Sequence, residues 1–200
     1  MLHGEMGPST DGRRRRSEQS RAKIVEAMLA LVKDGHIEPT AEDVAARAQI
    51  GLRSVFRHFA DMESLRAEMA IEIGRIYGNW FGPLQAGHWS AQLNEMCDRR
   101  CSAYEEILPY KNASDTHRHK SPALAENYEK ILEFMRGRLR GVLPPEAGAD
   151  QAVFESLDLT LSFETWQRLR GVQKLTSEDA RKAVDLLLHA IFHNANIAFD

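Results

Sequence analysis

The chain has 200 residues, 43% of them hydrophobic, enough for one large buried core or two small ones. Its formal net charge is −3, which excludes a polycation that grips nucleic acid by bulk charge and leaves any such binding to local geometry. Two cysteines make no disulfide framework, and no stretch approaches the roughly eighteen apolar residues of a membrane span.

Residues 1–16 are rich in Gly, Pro, Ser and Arg and read as a disordered basic arm. Its Arg13, Arg14, Arg15 and Arg16 are candidates for phosphate or minor-groove contact. The first twenty residues hold no apolar run, so no secretory leader is expected and the chain reads as cytoplasmic. From Ser17 onward almost everything reads as helix, because no stretch sustains β-branched alternation. Ile24, Val25, Met28, Leu31 and Val32 share one helical face, and Gly35 ends it.

Thr40 is a good N-cap for a second helix whose Val44, Ala45 and Ala48 face inward. Gln49-Ile50-Gly51 makes a turn, and Leu52 to Phe59 supplies a short third helix pinned by Val55 and Phe59. Such a pair over 40–59 is a helix-turn-helix: the second helix lies in a DNA major groove while the first braces the backbone. Arg53, Ser54, Arg57 and His58 are expected to project outward from that second helix. Arg53 or Arg57 could pair bidentately with guanine, Leu52 could meet a thymine methyl, and Thr40 adds a phosphate contact to its capping role.

Asp61 caps a long fourth helix carrying Leu65, Met69, Ile73, Ile76 and Trp80, stopped by Gly82-Pro83. A fifth helix from about Ser90 carries Leu93, Met96, Cys97, Cys101, Tyr104 and Leu108; Pro109 is expected to break it, leaving 111–120 as a short helix or loop. Ser121-Pro122 starts another helix, with Leu124, Tyr128, Ile131, Met135 and Leu139 on one face. Over about 148–170, Val153, Phe154, Leu157 and Leu161 lie opposite Leu159, Phe163, Trp166 and Leu169, so this helix needs cover on both faces. The final helix, capped by Ser177, has a broad apolar surface including Ala183, Val184, Leu187, Leu188, Ile191 and Phe192. The expectation is a homodimer through the last two helices of each subunit.

Trp80, Trp89, Tyr104, Phe134, Phe154, Asp158 and Trp166 suit an effector pocket with apolar walls and a few polar anchors, and Asp158 would suit a cationic ligand. Cys97 and Cys101 read as buried small residues rather than a thiol sensor. His189 and His193, with Asp185 one turn earlier, have metal-ligand spacing but lie on a narrow polar face, so no metal and no cofactor are expected.

Thr40, Asp43-Val44-Ala45, Ala48, Ile50, Phe56-Arg57-His58-Phe59 and Leu65 together resemble the tetracycline-repressor (TetR) family of transcriptional regulators. The resemblance is sharpest over about 21–66. It implies an all-α fold of about nine helices: a three-helix DNA-binding domain over 17–60, then a helical effector-binding and dimerisation domain over 61–200. It implies a repressor released from a double-stranded operator by a small-molecule effector, with no enzymatic activity. Three positions depart from the pattern. Gln49 stands where the family usually has Gly, Phe56 where an aromatic hydroxyl usually meets phosphate, and Met62 where a Lys usually does. Two other readings remain open on the residues alone: a DNA-binding dimer without effector, and an all-α enzyme acting on a small molecule.

Overall fold

The structure is a computed structural model and describes residues 10–199; the first nine residues of the expected arm lie outside it. The described residues form ten α-helices and no strand. They divide into two compact units. The first contains the residues up to Glu72 together with Pro109–Leu124, and the second contains Ile73–Leu108 and the residues from Ala125 onward. Besides the residues of the expected 17–60 domain, the first unit takes in the fourth helix as far as Glu72 and the later segment Pro109–Leu124.

In the first unit, α1 spans Thr10–Lys33, α2 Ala41–Ala48, α3 Leu52–His58, and α4 begins at Met62 and runs to Tyr77. Helix α1 starts at Thr10, seven residues before Ser17 where helix was expected to begin, so Arg13 to Arg16 stand on a helix and not in an unstructured arm. Arginine is a good helix former, and Arg14 pairs with Glu18 one turn on at 3.0 Å. Ile24, Val25, Met28, Leu31 and Val32 are all buried, with Val44, Ala45, Val55, Phe59 and Leu65 from the other helices of this unit. Gly35 ends α1 at φ +99°, a conformation in which a Cβ would be strained.

The second unit holds the rest of α4, a 3-10 turn over Gly78–Phe81, and most of α5 (Trp89–Arg118). It continues through α6 (Pro122–Val142) from Ala125 onward, the short α7 (Pro145–Ala149), α8 (Gln151–Thr160), α9 (Phe163–Gln167), a π-helical turn over Arg168–Val172, and α10 (Ser177–Asn194). Its core gathers Leu93, Met96, Leu139, Phe154, Leu157, Trp166, Leu188 and Phe192.

Three sequence expectations are corrected here. Pro109 does not break α5, which runs on to Arg118. An interior proline costs about 3 kcal/mol, but Tyr110 and Ala113 just beyond it are buried and Lys111 pairs with Asp115 at 2.6 Å, so packing offsets the lost hydrogen bond. The boundary between the two units falls at this proline.

The long two-faced helix over 148–170 is in fact α8 and α9, separated at Leu161-Ser162. The Ser162 hydroxyl accepts from the Thr165 amide at 3.1 Å, and the Thr165 hydroxyl donates back to the Leu159 carbonyl at 2.6 Å. This break turns Phe163, Trp166 and Leu169 into the same core as Phe154 and Leu157, leaving Leu159 outside at 65% exposure. Finally, the N-cap of α10 is Thr176, not Ser177; its hydroxyl accepts from the Asp179 amide at 3.1 Å.

Candidate nucleic-acid interface

Helix α2 is set by a capping box. The Thr40 hydroxyl accepts from the Asp43 amide at 3.2 Å and donates to the Asp43 carboxylate at 2.8 Å, which also accepts from the Thr40 amide at 2.9 Å. These bonds hold the Asp43 carboxyl below the usual carboxylate range, the backbone donor contributing most. Thr40 is exposed, but its hydroxyl proton is engaged by Asp43, so a phosphate contact through it must compete with the cap.

The turn is closed by Gln49 in the left-handed region, at φ 56° and ψ 45°. Its amide donates to the Ala46 carbonyl at 3.2 Å and the Ile50 amide to the Ala45 carbonyl at 3.0 Å, which satisfies carbonyls at the end of α2. Gly51 has an ordinary extended conformation, so the strain of the turn falls on Gln49.

On the seven-residue α3, Val55 is buried and Phe59, just after it, closes the core. Arg53 and Arg57 lie one turn apart on the side opposite Val55 and are exposed; Leu52 and Phe56 flank them and are also exposed, Phe56 at 48%. Ser54 is half-buried. His58 is not on the outward face. It is half-buried, its Nε2 has no hydrogen-bond partner, and burial lowers its pKa, with Arg57 and Arg21 adding repulsion. The periodicity could have shown this, since His58 follows Val55 by three and falls toward the same side.

Sequence reading also missed Arg21. From α1 it donates to the His58 carbonyl at 2.9 Å, pairs with Glu68 of α4 at 2.7 Å, and lies over the Phe59 ring at 4.3 Å. A cation at the C-terminus of α3 answers both its free carbonyls and its dipole. A second ion pair, Arg47 to Asp34 at 2.5 Å, ties α2 to the end of α1.

Neither a protein-family model nor a curated protein matches this chain. Solved structures do match it over most of its length. A transcriptional regulator from Rhodococcus sp. Rha1 is 19% identical with a TM-score of 0.69, covering 91% of this chain and 98% of its own. A TetR family transcription regulator from Marinobacter aquaeolei VT8 is 16% identical with a TM-score of 0.61, covering 88% and 97%. A Mesorhizobium loti protein, proposed to be a TetR-family regulator, is 18% identical with a TM-score of 0.67, covering 89% and 97%. The chain has the TetR-family fold.

Within this TetR-like fold, the seven residues expected to line an effector pocket are distributed among several contacts. Tyr104, Phe154 and Trp166 are buried in the core of the second unit. The Tyr104 hydroxyl donates to the Leu161 carbonyl at 2.9 Å, and the Trp166 indole N–H to Glu105 at 2.8 Å. Arg136 and Arg140 both lie over the Phe154 ring. Trp89 packs on Phe192 and Phe199. Trp80 sits half-buried in the 3-10 turn, and Phe134 is half-exposed against the edge of Phe81. Asp158 is already paired with Arg136 at 2.6 Å.

Cys97 and Cys101 are free thiols with sulfurs 4.0 Å apart; the shared proton and burial push Cys101 up. Asp185 is taken by Arg181, while His189 packs on Phe199. Among the described residues no cluster of three or more His, Cys, Asp or Glu is placed to hold a metal, and no helix is long and apolar enough to cross a membrane. The body also contains a residue that sequence reading passed over: Arg100 lies on the inner face of α5 and is buried. Its signal was its spacing, three residues after Cys97 and four before Tyr104 on the same stripe.

Proposed function

We propose that this chain is a homodimeric, cytoplasmic, DNA-binding transcriptional repressor released from a double-stranded operator by a small-molecule effector. The observation that carries the reading is the outward face of α3, where Arg53 and Arg57 stand one turn apart, flanked by Leu52 and Phe56 and backed by buried Val55 and Phe59. A helix anchored on one side, with two guanidiniums on the other, suits a major groove: each arginine can pair with guanine O6 and N7, and Leu52 can meet a thymine methyl. Thr40 and the arginines of α1, Arg13 to Arg16, supply phosphate contacts beside it. Phe56 offers no hydroxyl and Met62 no charge, so the α1 arginines carry more of the phosphate affinity.

Dimerisation is supported by apolar side chains left outside the second unit. Leu186 of α10 is 71% exposed, and Leu187 on the same helix and Leu159 of α8, which packs against α10, are exposed as well. A second copy contributing the same two helices would cover them and place two heads on half-sites roughly 34–36 Å apart. An effector bound in the body needs a coupling of only about 1–3 kcal/mol to release the operator partly.

Fluorescence anisotropy with labelled DNA from upstream of the coding region tests this reading. The full chain should bind in the nanomolar range at moderate salt, and Arg53→Ala with Arg57→Ala should abolish specific binding while leaving the melting temperature unchanged. Equal binding by the double variant would refute the assigned face.

A further inference from the structure

We propose that the effector is a small amphipathic carboxylate, held in the helical body by a guanidinium cluster with Arg138 as its outer member and Arg100 behind it. The inference rests on the effector-released reading above and gives the ligand a chemical class.

Arg100 is 2% exposed. Its guanidinium donates to the Met135 carbonyl at 2.7 Å and to the Leu161 carbonyl at 3.4 Å, and among the described residues no carboxylate pairs with it. Carbonyl dipoles satisfy hydrogen bonds but do not cancel a full charge, and buried charges are ordinarily paired with an opposite one.

The surroundings deepen the deficit. Arg138 of α6 donates to the carbonyls of Phe81 and Gly82, again with no carboxylate partner among the described residues. Arg99 donates to the same Gly82 carbonyl at 3.1 Å and pairs with Glu95 at 2.5 Å. Of these three guanidiniums, Arg99 alone has a carboxylate partner among the described residues. Arg99 and Arg138 meet on that Gly82 carbonyl, and Arg100, next to Arg99 on α5, donates to the Met135 carbonyl one turn before Arg138 on α6; burial, then repulsion from Arg100 and Arg99, pushes the Arg138 pKa down.

The apolar half of a ligand has its own seat beside the charge. Arg138 lies over the Phe134 ring at 5.8 Å, and Phe134 meets the edge of Phe81 at 6.1 Å between centroids. Phe134 is 50% exposed and Ile131, one turn earlier on α6, is exposed too. A carboxylate on Arg138, with the Arg100 charge behind it, would leave its hydrocarbon or aryl portion against Phe134 and Ile131, covering surface that otherwise faces water. The cationic ligand suggested by Asp158 would have to displace Arg136, which already pairs with that carboxylate and with Glu155.

The test is calorimetric titration of the DNA-free full chain with octanoate and phenylacetate, beside octanamide, phenylacetamide and octylammonium as charge-altered controls. At least one carboxylate should bind ten-fold or more tightly than its amide, with octylammonium weakest. Arg138→Gln should weaken that binding at least ten-fold at an unchanged melting temperature. Arg100→Met, which removes the buried charge and keeps an apolar stem, should abolish binding without lowering the melting temperature. Equal affinity for acid and amide, tighter binding of octylammonium, no binding of either acid, or an unaffected Arg138→Gln variant would each overturn the proposal. Operator binding measured on the same samples separates the two claims: DNA binding without carboxylate binding removes the anion site alone, and carboxylate binding without DNA binding removes the repressor reading alone.

Discussion

Arg21 and Glu68 join α1 to α4 by an ion pair of 2.7 Å, and the same guanidinium holds the last carbonyl of α3 and covers Phe59. One side chain on the first helix therefore fixes where the candidate recognition helix ends. The pair alone is partly exposed and contributes little, but the carbonyl bond and the ring contact act with it. Arg21→Ala is expected to destabilise the chain by about 1–2 kcal/mol in urea unfolding. It should also weaken DNA binding although Arg21 is not on the outward face of α3. Glu68→Gln, which keeps the shape, should cost less than about 1 kcal/mol.

The turn between α2 and α3 gives a substitution that should stabilise. Gln49 has φ 56°, and a non-glycine residue in that region carries strain of about 1 kcal/mol or more. Gln49→Gly relieves it at some cost in unfolded-chain entropy, for an expected net gain of about 0.5 kcal/mol. Gln49→Val should destabilise. At the other end of α2, Thr40→Ala removes the capping box and should cost about 1 kcal/mol, largely restored by Thr40→Ser. Thermal melts of the four variants rank them.

Two histidines set an acid-side stability window. Burial lowers the pKa of His58 and of His117 below the ordinary 6.5, although Glu38, 3.5 Å from His117, pulls that one the other way. The unfolded chain then binds protons that the folded chain refuses, so their contribution is fully present above about 6.5 and is lost as pH falls from there toward the folded values. The melting temperature should drop between pH 7 and pH 5.5, and His58→Gln should flatten that slope. Asp43 and Asp61, held below 3.8 by Thr40 and Ser64, act only at lower pH, where their protonation removes a further stabilising contribution.

The proposed subunit contact has a direct test. Leu186→Glu with Leu187→Glu places two charges on the exposed apolar face of α10. Sedimentation should show the parent chain as a dimer and the double variant as a folded monomer that no longer binds a two-half-site duplex. A double variant that stays dimeric would move the interface elsewhere.

What the sequence made legible was local. The Thr40 cap, the Gly35 stop, the Asp61 cap and the buried Val55 follow from side-chain chemistry within a turn of the backbone, and the structure has each of them. What it hid depended on distant partners. Pro109 reads as a stop until Tyr110 and Ala113 find cover, and the two apolar faces over 148–170 read as one helix until Ser162 caps a new one. Arg21 and Arg100 look like ordinary surface cations, because nothing near them in sequence reveals that one meets His58 and Glu68 and the other is buried against Met135 and Leu161. Their roles are tertiary, and periodicity alone marks only that they lie on an inward stripe.

Hydroxyl-radical footprinting of the full chain on its own upstream DNA tests the central claim most directly. The expected pattern is two protected half-sites related by a dyad, with centres roughly one helical turn or slightly more apart, erased by Arg53→Ala with Arg57→Ala. Protection at a single unrepeated site, or a pattern that survives the double substitution, would contradict a dimeric reader built on α3.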